Sequence, residues 1–236
     1  MLRAFLLVYP FLVIYVTIGT LVFVPITWLI RDIRLLYWLS QTGIRIALLL
    51  SGVSLELVHP ERARQYPTCV FISNHVSNLD PAALFMTLPR ITVVLKESLG
   101  GIPLLGYVMR LGGFIYVNRS DRESRRRAVE ASVAALRGGL SLLIFPEGTR
   151  SPDGKLLPFR PGPFSMAIEA EVPVVPITVH GTRDLMPKGA AAIRPGRITM
   201  RFHPPVPTAG MGQESRASLM QKVRETMASA LSPTPG

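Results

Sequence analysis

From Ala4 to Ile30 the chain runs for 27 residues without a formal charge, flanked by Arg3 on one side and by Arg31 and Arg34 on the other. At 1.5 Å per residue, an unbroken helix over that stretch reaches about 40 Å, more than the ~30 Å hydrocarbon core of a bilayer. Pro10 and Pro25 are expected to bound or kink it. A secretory leader fits less well, because its basic region would be one arginine and no small-x-small site follows. The next stretch, Ile33 to Leu50, is also apolar but carries Arg34, Gln41 and Arg45. At 100° per residue these three fall within about 40° of one another, a narrow polar stripe on a wide apolar helix. The pair is expected to form a two-helix membrane motif, either one span plus an interfacial helix or a hairpin dipping into one leaflet. The arginines after the first segment place the rest of the chain on the cytoplasmic side.

The remaining composition constrains the partner. The 236 residues are 48% hydrophobic and 17% charged, which excludes a disordered chain, and the single cysteine, Cys69, excludes a disulfide scaffold. Lys and Arg number 26 against 15 Asp and Glu, a net charge of +11. The densest basic cluster, Arg119, Arg122, Arg125, Arg126 and Arg127, is interrupted by Asp121 and Glu123 and holds no aromatic. Nucleic-acid binding would want stacking rings there, so the charge reads either as a solvated basic face or as directed to an anionic membrane and a phosphorylated ligand.

After Ser51 the texture becomes that of an α/β domain. β-Branched runs at Val53–Val58, Cys69–Ser73, Ile91–Leu95, Phe114–Val117, Ser141–Phe145, Val174–His180 and Arg197–His203 alternate mostly with stretches able to hold a helix. That spacing predicts a mostly parallel sheet flanked by helices. Asp80-Pro81 reads as N-cap and first helical residue, and Ser120-Asp121-Arg122-Glu123 as a capping box of a helix ending at Gly138-Gly139. A last helix over Gln213 to Leu231 is expected to bury Ala217, Met220, Val223 and Met227. The expected organisation is a membrane segment (1–51), an α/β domain (52–231) and a frayed tail (232–236).

Three predicted strand ends carry chemistry. In Asn74-His75-Val76-Ser77-Asn78-Leu79-Asp80, a loop lets Asp80 hold one imidazole nitrogen of His75 and leave the other free to take a proton. The same spacing also suits a plain cap beside a solvated histidine. Gly113 to Arg119 ends a second strand in one arginine, and Phe145-Pro146-Glu147-Gly148-Thr149-Arg150-Ser151 follows a third. There Gly148 permits a tight turn, Arg150 offers a donor fork for phosphate, and Glu147 orients that arginine or accepts from a substrate hydroxyl. Open α/β sheets build their sites at the carboxyl ends of strands, which favours one composite site. No cluster with metal-ligand spacing is present, and no cofactor is implied.

These residues resemble the glycerolipid acyltransferase family, in particular its bacterial 1-acylglycerol-3-phosphate O-acyltransferases. The resemblance rests on Asn74, His75 and Asp80 for the Asn-His-x4-Asp signature, and on Gly113, Ile115 and Arg119 for a second block. Phe145 to Ser151 matches a third block in full and Val172 to Pro176 a fourth, while Val76, Asn118 and Arg160 depart from the commoner Gln, Asp and Lys. The resemblance implies that His75, oriented by Asp80, deprotonates the free hydroxyl of lysophosphatidate for direct attack on an acyl thioester of acyl carrier protein or coenzyme A. It implies that Asn74, Arg119, Glu147, Gly148, Thr149, Arg150 and Arg160 bind substrate. It also implies phosphatidate as product and the inner membrane, cytoplasmic face, as the location. Alternatives are another lyso-lipid acceptor such as a lyso-ornithine lipid, a non-catalytic lipid-binding relative, and an acyl-enzyme route through Ser77 or Cys69.

Overall fold

The computed structural model describes residues 4–187 and 189–231. The flanking Arg3 and the tail 232–236 lie outside them. A π-helical turn, Ala4–Val8, leads into α1 (Tyr9–Ile30), followed by α2 (Arg34–Leu50), β1 (Val53–Val58), β2 (Val70–Ser73), α3 (Leu79–Thr87) and β3 (Ile91–Lys96). Then come α4 (Leu105–Leu111), β4 (Ile115–Val117), α5 (Arg122–Arg137), β5 (Ser141–Ile144) and α6 (Gly162–Glu169). The chain finishes with β6 (Val174–His180), α7 (Thr182–Leu185), β7 (Gly196–Phe202) and α8 (Arg216–Leu231).

Each of the seven β-branched runs is a strand, and the seven form one sheet in the order β1-β7-β6-β2-β5-β3-β4. Every neighbouring pair is parallel except β6–β7. Helices cover both faces, so the central strands are apolar on both sides. In β2 the alternation is direct: Phe71 joins Leu84, Val93 and Ile177 on one face. Val70 and Ile72 join Val133, Phe164 and Val223 on the other. After β3 and β4 the chain returns to set β5 between β3 and β2, which places the loops following β2 and β5 side by side.

The two apolar helices pack as a hairpin against this domain. The Tyr15 hydroxyl donates to the Leu39 carbonyl at 2.8 Å. Gly43 receives the Tyr15 ring so closely that a Cβ there would lie 2.4 Å from the ring. The stretch Leu6–Ile30 is long and apolar enough to cross a membrane, with 17% of its most apolar window buried inside the protein. Pro10 sits in the first turn of α1 and Pro25 inside it. The polar stripe of α2 departs from expectation at Gln41, whose amide donates to the carbonyls of Phe85 and Leu88 at 3.0 and 3.2 Å. Gln41 thereby satisfies the otherwise free carbonyls at the end of α3, so α2 belongs to the domain core as much as to the apolar motif.

Two capping expectations shift. Helix α3 begins at Leu79 after Asn78, and Asp80 lies in its first turn. The cap of α5 is Asp121, which accepts from the Glu123 and Ser124 amides, while the Ser124 hydroxyl accepts from Asn118 N at 2.9 Å. The cap is therefore displaced by one residue and is not reciprocal, since Asp121 N donates to Asn118 O, and the Glu123 carboxylate pairs with Arg126. In α8 the buried stripe is Leu219, Val223 and Met227; Met220 is half-buried and Ala217 faces outward.

Candidate active site

The site is assembled where β2 and β5 end. Asn74 follows the last β2–β6 rung, Ser73 with Ile177. Its amide donates to Val179 O at 2.9 Å and its side-chain oxygen accepts from Val179 N at 2.8 Å. This side chain copies one more rung of the ladder, and at 2% exposure both its ends are occupied. Asn74, expected to bind substrate, uses its side chain to fix the loop onto β6.

The next residue is His75. Its Nδ1 lies 2.9 Å from Asp80 Oδ2, with the Asp80 side chain fully buried and that of His75 18% exposed. The same carboxylate oxygen accepts from the amides of Val76 and Ser77, each at 2.7 Å. Asp80 thus caps the loop rather than α3, because its carboxylate turns back over residues 75–77. An imidazole that donates Nδ1–H to this oxygen keeps Nε2 free to accept a proton.

The third motif builds the rest of the histidine's seat. Phe145 stacks on the imidazole, with ring centroids 4.2 Å apart and 24° between planes. His75 N donates to Glu147 Oε1 at 2.9 Å and Ser151 N donates to His75 O at 2.8 Å. Glu147 Oε2 accepts from Leu157 N at 2.9 Å, so both oxygens of this buried carboxylate are held by backbone. Burial pushes its pKa up, and the two amide bonds oppose that shift. Glu147, expected to orient Arg150 or meet a substrate hydroxyl, ties the two loops together through these two contacts. Phe145 and Ser151 stand inside the recognised motif, but their contacts with His75 depend on β2 and β5 being neighbours, which the sequence leaves open.

The basic half of the site is laid around Gly148. Its φ of +69° is left-handed, and a Cβ there would come within 2.7 Å of the Arg160 guanidinium. The Arg119 guanidinium donates to the Gly148 carbonyl. Desolvation and then Arg160 lower the pKa of Arg119. Two guanidiniums from separate loops thus converge on one turn, a planar donor array suited to phosphate. Thr149 is exposed and Arg150 half-buried beside them, and neither makes a hydrogen bond or ion pair among the described residues. The structure brings together every residue expected in the site, with Asn74, Asp80 and Glu147 as its frame.

An apolar cavity of about 580 Å³ adjoins the His75 loop at Asn78 and Pro81. It runs between the α1–α2 hairpin (Tyr15, Leu36) and Phe85, Val93 and Phe114 of the domain. The alternative nucleophiles are sequestered. Cys69 is 1% exposed with its thiol pushed up to about 12 by burial. Ser77 is fully buried and donates to Met186 O at 2.7 Å.

Residues 54–180 match the family model described as Acyltransferase. A 1-acyl-sn-glycerol-3-phosphate acyltransferase of Chlamydomonas reinhardtii is 38% identical over 165 residues, 70% of this chain and 48% of that protein. The human 1-acyl-sn-glycerol-3-phosphate acyltransferase beta is 30% identical over 205 residues, 86% of this chain and 68% of that protein. The chain spans about half the length of the first of these relatives. Among solved structures, the 1-acyl-sn-glycerophosphate acyltransferase PlsC of Thermotoga maritima has the same fold, with a TM-score of 0.79, 24% identity, and coverage of 97% of this chain and 95% of that one. With its matched region covering more than half of its length, the chain belongs to the acyltransferase family.

Proposed function

We propose that this protein is a membrane-anchored 1-acylglycerol-3-phosphate O-acyltransferase that converts lysophosphatidate to phosphatidate. The observation that carries the reading is the His75–Asp80 pair, 2.9 Å apart, standing beside an arginine pair on one side and an apolar cavity on the other. Arg119 and Arg160 hold the acceptor phosphate, with Arg150, Thr149 and the Gly148 turn completing the grip. His75 Nε2 takes the proton of the acceptor's free hydroxyl as its oxygen attacks the thioester carbonyl. Collapse of the tetrahedral intermediate expels the thiolate, which regains the proton from the imidazolium. The ester forms as the thioester breaks, with no acyl-enzyme. General-base assistance supplies roughly 10²–10⁴ in rate, and positioning of the two substrates supplies much of the rest.

The apolar cavity accommodates an acyl chain, and the α1–α2 hairpin holds its opening at the membrane. Acyl carrier protein and coenzyme A are the candidate donors, and the cytoplasmic face of the inner membrane is the proposed location. The test is a transfer assay in nanodiscs with a panel of lyso-lipid acceptors against both donors, for wild type and His75→Ala. Lysophosphatidate is expected to turn over and His75→Ala to remain folded but inactive. Turnover of a lyso-ornithine lipid with lysophosphatidate inert would overturn the acceptor, and an acyl group retained on the denatured chain would overturn direct transfer.

A further inference from the structure

A second basic site lies away from the chemistry. A groove of about 930 Å³ is lined by Trp28, Arg31, Asp32, Arg34, Arg90 and Leu111, with Thr27, Ile30 and Ile33 completing its wall. Arg90 immediately precedes β3, whereas His75 follows β2, and these strands run in the same direction through β5. The groove therefore sits at the opposite end of the sheet from His75, at the turn of the α1–α2 hairpin. Ile33 lines both this groove and the apolar cavity.

Three arginines meet one carboxylate here. Asp32 is engaged by Arg34, with Nε to Oδ2 at 3.0 Å, and Arg31 and Arg90 form no ion pair among the described residues. Arg31 adopts φ +53°, a left-handed conformation that costs an ordinary residue energy and that glycine would take freely. Its side chain is kept at the helix end despite that strain. Trp28 is 78% exposed and Leu111 37%, so the cationic floor is bordered by unburied apolar side chains. A soluble anion would need only the arginines; it would leave Trp28 and Leu111 facing water.

We infer that this groove binds the headgroup of an anionic phospholipid of the surrounding leaflet, its phosphate on Arg31 and Arg90 and its glycerol and chains along Trp28 and Leu111. The inference rests on the membrane-anchored reading above. It adds a second attachment, which pins the hairpin turn at headgroup level and holds the α4 side of the cavity against lipid. Two arginines facing an anionic surface favour it over a zwitterionic one by roughly 30-fold.

The test uses the full chain with Trp38→Phe, leaving Trp28 as the sole tryptophan, in phosphatidylcholine nanodiscs containing a brominated lipid at fixed mole fraction. Brominated phosphatidylglycerol is expected to quench Trp28 several-fold more than brominated phosphatidylcholine. That excess is expected to vanish in Arg31→Gln/Arg90→Gln and to persist in Arg194→Gln/Arg216→Gln, which removes equal charge elsewhere. Equal quenching by the two lipids, or an excess that survives Arg31→Gln/Arg90→Gln, overturns the lipid site. Loss of the excess on adding inorganic phosphate overturns it in favour of a free-anion site. Absence of quenching by either lipid overturns the membrane reading itself, an outcome separate from the others.

Discussion

Replacing Asp80 by Asn isolates the charge of the orienting residue from its shape. An Asn side chain can set its oxygen where Oδ2 stands and still accept from Val76 N, Ser77 N and the imidazole, the three donors that converge there. Its amide nitrogen then occupies the place of Oδ1, a buried atom without a hydrogen-bond partner among the described residues. Burying that unpaired donor costs about 1–3 kcal/mol, which lowers the unfolding temperature of a domain this size by roughly 2–12 °C and leaves it folded. The catalytic loss is larger. At the 2.9 Å separation of His75 and Asp80, an effective dielectric of ~20 gives an attraction of about 6 kcal/mol between carboxylate and imidazolium. Full loss of base assistance is worth roughly 10²–10⁴, so kcat is expected to fall by that range with the acceptor KM within a few fold. Thiol release from the acyl donor, followed continuously in nanodiscs, measures both constants, and circular dichroism checks the fold. An Asp80→Asn enzyme within threefold of wild-type kcat, or one impaired in KM alone, would refute the orienting role. Asp80→Ala strands all three donors and is expected to unfold rather than simply slow.

Glu147→Gln makes one of the two backbone contacts donor against donor, so His75 shifts and kcat is expected to drop about 5- to 150-fold with little change in KM; a KM effect alone would return Glu147 to the substrate. Gly148→Ala strains a left-handed turn and displaces Arg160; the acceptor KM is expected to rise at least tenfold while the donor KM holds, measured by varying each substrate separately. His203, 6% exposed, is held at about 4 by burial first and then by Arg201, Arg62 and His180. The unfolded chain therefore takes up protons first, and this contribution, whole above about pH 6.5, is lost as pH falls toward 4, by about 3 kcal/mol. His203→Gln is expected to flatten that part of the stability–pH curve in chemical unfolding; an unchanged slope would show that His203 does not titrate there.

Much of this architecture is legible along the chain because the signals are local. The seven strands follow from β-branched runs, and the end of α5 from Gly138 and Gly139. The pairing of His75 with Asp80 is readable too, since five residues can close a loop. What stays hidden depends on which strands become neighbours. The hold of Asn74 on Val179 exists only once β6 lies beside β2, and Glu147, read along the chain as a partner for Arg150 or a substrate hydroxyl, reaches His75 only once β5 lies beside β2. Gln41 reads as one residue of a solvated stripe, yet the end of α3 supplies it with carbonyls. Asp80 is misread as a helix cap because the rule for Asp-Pro is local, whereas the amides of Val76 and Ser77 compete for the same carboxylate.

The two hydrogen bonds that Glu147 accepts, from His75 N on one loop and Leu157 N on the other, have a consequence for redesign. The segment between residues 148 and 160 carries Arg150 and Arg160, two of the three arginines proposed to hold the acceptor, and Leu157 in the same segment is tied through Glu147 to His75, the proposed base. On the proposed roles, headgroup recognition there is not an independent module: substitutions selected for a new acceptor are expected to disturb proton transfer as well. Successful variants are expected to need a second change in the 74–80 loop, so that the two loops evolve as a pair.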